Sequence, residues 1–149
     1  MRALGHGQKV CVIQFIKGTW EYGELLSAKR FEELLDFHVM GKGFIWTAKD
    51  REKSLKSAQA AWSFARERIT SDKYRLVILD EFTYLMNYGM IAQHEVLDCL
   101  SQRKQDVHVV ITGRDAPQSL VDAADLVTEM IEMKHPFKKG IQAQEGIEF

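Results

Sequence analysis

The sequence has little of several features that would assign it to a special class of protein. It has only two cysteines and two prolines, and its 20 basic and 21 acidic residues leave a formal charge of -1. No basic run is present, which argues against a nucleic-acid-binding surface. The apolar runs are too short to cross a bilayer, and Met1 is not followed by the apolar core of a signal peptide.

The two cysteines, Cys11 and Cys99, lie far apart in apolar stretches and form no CxxC pair. This spacing argues against a disulfide framework or a zinc site and favours a reducing compartment. We therefore expect a cytoplasmic protein without a membrane or nucleic-acid partner.

The remaining composition is that of one ordinary globular domain, because 46% of the 149 residues are hydrophobic. Short β-branched runs predict buried strands, and apolar residues spaced by three and four predict helices between them. The strands are predicted at Lys9–Ile16, Tyr74–Leu79, Val107–Thr112 and Leu126–Met133, with a weaker one at Asp36–Met40; the helices are predicted at Ala28–Leu35, Asp50–Thr70, Ala92–Arg103 and Pro117–Ala124. This alternation predicts an α/β fold, a mostly parallel sheet with helices on both faces.

In such folds ligands bind beyond the carboxyl ends of the strands. One apolar run ends in Asp80 and Glu81, a pattern that can hold a magnesium ion but that is also common where a chain leaves a core. A second run ends in Thr112, Gly113 and Arg114, which could bind phosphate or form a solvated turn. The same two interpretations apply to Lys17, after the first strand.

Two aromatic residues follow a glycine-rich turn, Phe44 and Trp46. Aromatic side chains in a loop can form a flat wall for a planar ligand, although they can also cover a core. Arg51 either belongs to an ordinary helix start or contacts a ligand. The five histidines have no metal-binding spacing and are interpreted as structural.

Taken together, six segments resemble the P-loop class of ATP:corrinoid adenosyltransferase, also called cob(I)alamin or cob(I)yrinic acid a,c-diamide adenosyltransferase. The resemblance covers the chain from end to end and implies a P-loop NTPase-like (RecA-like) fold. The matching segments are Gly5–Val10, Gln14–Gly18, Gly43–Trp46, Leu79–Tyr84, Ile111–Arg114 and Gly140–Glu148.

The resemblance implies transfer of the 5′-deoxyadenosyl group of ATP to the Co(I) of a corrinoid, with release of triphosphate. It implies that Phe44 and Trp46 displace the lower axial ligand of cobalt during reduction. It further implies that Glu81, with Asp80, holds Mg²⁺ on the triphosphate. The residues implied to contact nucleotide or phosphate are Lys17, Arg51, Thr112 and Arg114. A reduced flavoprotein as electron donor and a homodimer are also implied.

One family element has no counterpart in this sequence, the GxxxxGK(S/T) phosphate loop and its strand. The pair Gly41-Lys42 is not such a loop, because Asp36 stands where the first glycine would be and Gly43 follows the lysine. We therefore expect residues 1–149 to be a single corrinoid adenosyltransferase domain that is incomplete at its N-terminus, with exposed strand edges and apolar surface where that strand is absent.

Three interpretations of this departure stay open. The first segment of an ordinary enzyme could be missing from the sequence. The chain could instead be a short paralogue that binds a corrinoid without catalysis. Finally, a partner chain could supply the missing strand by strand addition.

Overall fold

The computed structural model describes residues 1–16, 23–41 and 51–147. Within these ranges the chain alternates between strands and helices. The helices are α1 (Arg2–Gly5), α2 (Gly23–Ala28), α3 (Arg51–Thr70), α4 (Thr83–Asn87), α5 (Gln93–Gln102) and α6 (Gln118–Ala123), and short 3-10 turns span Lys29–Phe31 and Pro136–Lys139. The strands are β1 (Val10–Gln14), β2 (Leu35–Val39), β3 (Leu76–Asp80) and β4 (His108–Ile111).

The four strands form one sheet in the order β2-β1-β3-β4, and every neighbouring pair is parallel. This topology confirms the predicted α/β fold. Three of the four predicted strands, and the weaker fifth one, lie where the apolar runs indicated. In a parallel sheet the carboxyl ends of all strands lie at the same end of the sheet. The residues that follow β1, β3 and β4 therefore lie close together there.

The core lies between the sheet and α3. Cys11 and Ile13 of β1 are paired with Val77 and Leu79 of β3, and all four side chains are completely buried. Of the residues whose three- and four-residue spacing predicted the buried face of this helix, Leu55 is only half-buried, and four are buried in the core: Ala58, Trp62, Ala65 and Ile69. Ala61, which that spacing did not include, is buried beside them. Because side chains alternate along a strand, the opposite sheet face carries Val12, Ile78 and Val110. That face is covered less completely, and Val110 is 44% exposed.

The strand prediction at Leu126–Met133 is wrong. These residues have no regular secondary structure, and the apolar side chains are exposed, with Leu126 at 84% and Met130 at 93%. A strand exists only when a neighbour accepts and donates its backbone hydrogen bonds. In the described part of the chain the sheet ends at β4 on one side and at β2 on the other, and Leu126–Met133 pairs with neither edge.

The helix prediction at Ala28–Leu35 is also wrong for most of its length. Helix α2 ends at Ala28, a 3-10 turn follows, and Leu35 is already the first residue of β2. The backbone N–H of Leu34 donates to Phe31 O, and Leu34 O accepts from the N–H of Val10. These bonds turn the chain into the sheet, so tertiary pairing overrides the local helical pattern.

No helix in the described ranges is long and apolar enough to span a membrane.

Candidate functional site

Polar side chains meet where β1, β3 and β4 end. Gln14 and Asp80 are the last residues of their strands and lie opposite each other in the register, and Thr112 directly follows β4. Asp80 accepts a hydrogen bond on each carboxylate oxygen: Gln14 Nε2 donates to Oδ2 over 3.3 Å, and Thr112 Oγ1 donates to Oδ1 over 2.9 Å. We call Gln14, Asp80, Glu81 and Thr112 the carboxyl-end cluster.

Thr112 also fixes the residue that follows β3. Its hydroxyl oxygen accepts from the backbone N–H of Glu81 over 3.0 Å, while its own N–H donates to Leu79 O. Glu81 has a φ of 60°, a left-handed conformation that is uncommon for a residue with a side chain. Strained backbone of this kind is concentrated at functional sites. The Thr112 hydrogen bond therefore holds the backbone of Glu81, a half-buried residue, in a defined place at the end of the sheet.

The turn after Thr112 packs against the start of α4. The carbonyl oxygen of Arg114 accepts from Thr83 Oγ1 over 2.7 Å and from Asn87 Nδ2 over 3.0 Å. Gly113 has a φ of 144°, and a Cβ there would overlap Thr83 Oγ1. This close approach requires glycine, and it fixes the backbone of Arg114 while leaving the residue exposed to solvent.

The end of β1 is tied to the segment that follows β2. Gln14 O accepts from the backbone N–H groups of Met40 and Gly41. Gly41 is buried, and a Cβ there would overlap the backbone carbonyl of Phe15. The absence of a side chain at Gly41 thus lets the chain leave β2 directly beside the carboxyl-end cluster.

The cluster fits a partly hydrated hard cation better than an enclosed metal cage. The described residues include no group of three or more His, Cys, Asp or Glu side chains placed to hold a metal. Mg²⁺ is commonly bound by one or two carboxylates, with water and phosphate oxygens as its other ligands. Asp80 and Glu81 offer such carboxylates, and the buried Oε1 of Gln14 has no hydrogen-bond partner among the described residues.

Comparison with known proteins identifies the family. The family model for ATP:corrinoid adenosyltransferase BtuR/CobO/CobP matches residues 1–149. The chain belongs to the ATP:corrinoid adenosyltransferase family. Its parallel α/β fold is consistent with the P-loop-like fold expected of that family.

Curated relatives agree with the family match. The corrinoid adenosyltransferase of Pseudomonas aeruginosa is 45% identical over 148 residues, which cover 99% of this chain and 73% of the relative. That of a Sinorhizobium species is 42% identical, covering 99% and 70%, and the corrinoid adenosyltransferase CobA of Salmonella typhimurium is 39% identical, covering 99% and 74%. Family membership assigns the chain to the enzyme class that transfers an adenosyl group to a corrinoid in cobalamin synthesis, with ATP and corrinoid as substrates.

The structure brings together four of the residues that the sequence singled out for this adenosyltransferase. Asp80, Glu81 and Thr112 are joined by hydrogen bonds, and Arg114 follows two residues later in the same turn. Arg51 is the exposed first residue of α3, and no hydrogen bond or ion pair within the described ranges connects it to the cluster. Lys17, Phe44 and Trp46 lie outside the described residues.

Sequence reasoning missed Gln14, Thr83 and Asn87 as parts of the site. Gln14 was placed inside a strand predicted to continue to Ile16, but β1 ends at Gln14 itself. A single polar residue at the end of the apolar run Val10–Ile13 was the signal that could have located it. Thr83 and Asn87 act through a backbone carbonyl distant in sequence, and no local pattern indicates such a contact.

Proposed function

We propose that this protein transfers the 5′-deoxyadenosyl group of ATP to the Co(I) centre of a corrinoid and releases inorganic triphosphate. The cobalt electron pair attacks C5′ of ATP, a cobalt–carbon bond forms, and the C5′–oxygen bond breaks with its pair on the triphosphate. The substrate itself is the nucleophile, so no activated Ser or Cys is needed. The observation that carries the proposal is the ordered carboxylate of Asp80, with Glu81 and Thr112 beside it, at the ligand-binding end of the sheet.

The carboxyl-end cluster is suited to the triphosphate part of ATP. We propose that Glu81 and Asp80 hold Mg²⁺ there, which when bound supplies charge neutralisation for the leaving group. Thr112 orients Asp80 and the backbone of Glu81. Arg114, on its fixed turn, presents a guanidinium that can bind phosphate oxygens in a bidentate manner. Lys17 and Arg51 remain further candidates for phosphate or nucleotide contacts.

The corrinoid is proposed to bind against Phe44 and Trp46. Support comes from Gly41, three residues before Phe44 in the sequence, whose N–H donates to Gln14 O at the end of β1, at the same end of the sheet as Asp80. An apolar aromatic wall disfavours an axial water on cobalt, and the loss of an axial ligand eases reduction of Co(II) to Co(I). A reduced flavoprotein is the proposed electron donor.

The role of the aromatic residues predicts a difference between two assays. Phe44→Ala or Trp46→Ala is expected to impair turnover that starts from Co(II) and reduced flavoprotein more than turnover from chemically reduced Co(I). Both rates are measured by optical detection of the adenosylated product. Equal losses in the two assays would contradict a role in axial-ligand displacement.

Two further properties are proposed from the family and the composition. A homodimer is expected, and sedimentation analysis of the purified chain tests it. A cytoplasmic location is supported by the two cysteines, which are both free and buried.

The test of the proposed function is adenosylation of chemically reduced Co(I) corrinoid by the 149-residue chain. We expect ATP-dependent formation of the adenosylated product with one triphosphate released per product. The alternative is a corrinoid-binding module that does not catalyse the transfer. Corrinoid binding without ATP binding or product formation would contradict the enzyme and support that module.

A further inference from the structure

Gln14 is a buried polar residue at the end of β1 whose role the proposed function does not explain. Its side chain is polar and only 4% exposed, although it belongs to the central strand β1. A buried amide normally has partners for both its N–H groups and its oxygen. Here Nε2 donates to Asp80 Oδ2, but within residues 1–16, 23–41 and 51–147 nothing donates to Oε1.

The orientation of the Gln14 amide follows from chemistry. A carboxylate accepts hydrogen bonds only, so the atom facing Asp80 must be the NH₂ group. The oxygen of the same planar amide therefore also lies at the end of β1, close to Asp80. An acceptor that is buried there without a donor is unfavourable unless the donor comes with a ligand.

The Asp80 carboxylate accepts hydrogen bonds from two side chains, and Gln14 is one of the two donors. Thr112 fixes Oδ1 and Gln14 fixes Oδ2, so rotation of the carboxylate would break one of the two bonds. Outer partners of this kind orient a metal-binding carboxylate and tune its affinity.

We infer that Gln14 is a positioning residue for the cation at this site: its NH₂ group orients the Asp80 carboxylate, and its oxygen accepts a hydrogen bond from a water of the bound cation. This inference rests on the proposed function, since it requires a Mg²⁺–ATP site at Asp80 and Glu81. It gives a role to Gln14, which lies in the matching segment Gln14–Gly18 but was not among the predicted site residues.

The experiment measures how much Mg²⁺ strengthens ATP binding to the full chain. Calorimetry gives the ATP dissociation constant with Mg²⁺ and with EDTA, and their ratio is the Mg²⁺ enhancement. Gln14→Met keeps the size of the side chain but removes both polar groups. We expect the enhancement to fall about tenfold, the lower end of the range for outer partners of a metal ligand, with metal-free ATP binding unchanged.

Ile13→Val is the matched control, since Ile13 is the preceding β1 residue and points into the core. The Mg²⁺ enhancement of ATP binding in Ile13→Val should equal that of the wild type. Gln14→Asn is a second variant, for use if Gln14→Met does not fold. Its side chain keeps an amide but is one methylene too short to reach Asp80, so the Mg²⁺ enhancement of ATP binding should fall by the same amount.

The outcomes separate this inference from the proposed function. An unchanged enhancement in the Gln14 variants, or an equal weakening of ATP binding with and without Mg²⁺, would overturn the role of Gln14 and leave the enzyme intact. Wild-type protein that binds ATP without any Mg²⁺ enhancement would overturn the cation site. Absence of ATP binding by the wild type would overturn the proposed function and the role of Gln14 together.

Discussion

Strands β1 and β3 each have a buried apolar middle and a polar carboxyl end, and the residues of these two regions have different roles. In the middle, Ile13 and Leu79 are completely buried under α3 and contact apolar neighbours. One residue further along, Gln14 and Asp80 form hydrogen bonds across the same pair of strands. Residues that stabilise the core are thus the direct neighbours, along each strand, of residues in the candidate site. Substitutions in the two regions should therefore have different effects.

The largest expected effect on turnover is at the polar end. Glu81→Ala removes a carboxylate proposed to hold Mg²⁺, so we expect adenosylation to fall by about 100-fold or more while corrinoid binding is retained. Product formation and corrinoid affinity are measured on the same preparation. Glu33→Ala, at an exposed position before β2, is the matched control. Unchanged turnover in Glu81→Ala would remove Glu81 from the site.

The largest expected effect on stability is in the apolar middle. Leu79→Ala creates a cavity under α3 and should lower the free energy of unfolding by about 2–5 kcal/mol. Leu126→Ala makes the same chemical change at a side chain that is 84% exposed, and should change it by less than about 0.5 kcal/mol. Urea denaturation measures both. Similar losses in the two variants would mean that Leu126 is covered in solution.

Gly41 contacts both regions, because it packs against the buried residue Phe15 and its N–H donates to Gln14 O. Gly41→Ala would force a Cβ against the backbone carbonyl of Phe15, and we expect a destabilisation of about 1–3 kcal/mol. Gly5→Ala is the control, because nothing lies within 4 Å of a Cβ built there. If Gly41→Ala proves as stable as Gly5→Ala, the close contact between the end of β1 and the segment after β2 does not exist.

The smallest expected effect is a dependence of stability on alkaline pH. Burial raises the pKa of the Cys11 thiol to about 12 from an ordinary value of 9.0, and the Asp36 carboxylate adds to this. The folded protein then keeps a proton that the unfolded chain loses, so this contribution to stability is complete below about pH 9 and declines as the pH rises towards 12. Urea midpoints at pH 8.5 and 10.5 should therefore differ more in the wild type than in Cys11→Ala. Equal differences would contradict the buried neutral thiol.

The sequence was informative where structure depends on local pattern. Apolar runs located β1, β3 and β4 to within a few residues, and the spacing of Ala58, Trp62 and Ala65 located α3. Because parallel strands share one carboxyl edge, the pattern also predicted that Asp80 and Thr112 would lie near each other, as their hydrogen bond confirms.

The parts of the fold and of the site that the sequence did not predict depend on contacts between residues distant in sequence. Leu126–Met133 has the composition of a strand, but a strand also needs a neighbour with which to pair. Gln14 was missed because β1 ends two residues before its predicted boundary. The roles of Lys17, Phe44 and Trp46 remain predictions from the family resemblance.

The proposed Mg²⁺–ATP site is tested most directly by a crystal structure of this protein with Mn²⁺ and an ATP analogue that cannot transfer its adenosyl group. We expect an anomalous peak for Mn²⁺ bound by Glu81 or Asp80, directly or through one water, with the triphosphate beside Thr112 and Arg114. A nucleotide bound elsewhere on the protein, with no metal at the carboxyl-end cluster, would contradict the proposed site.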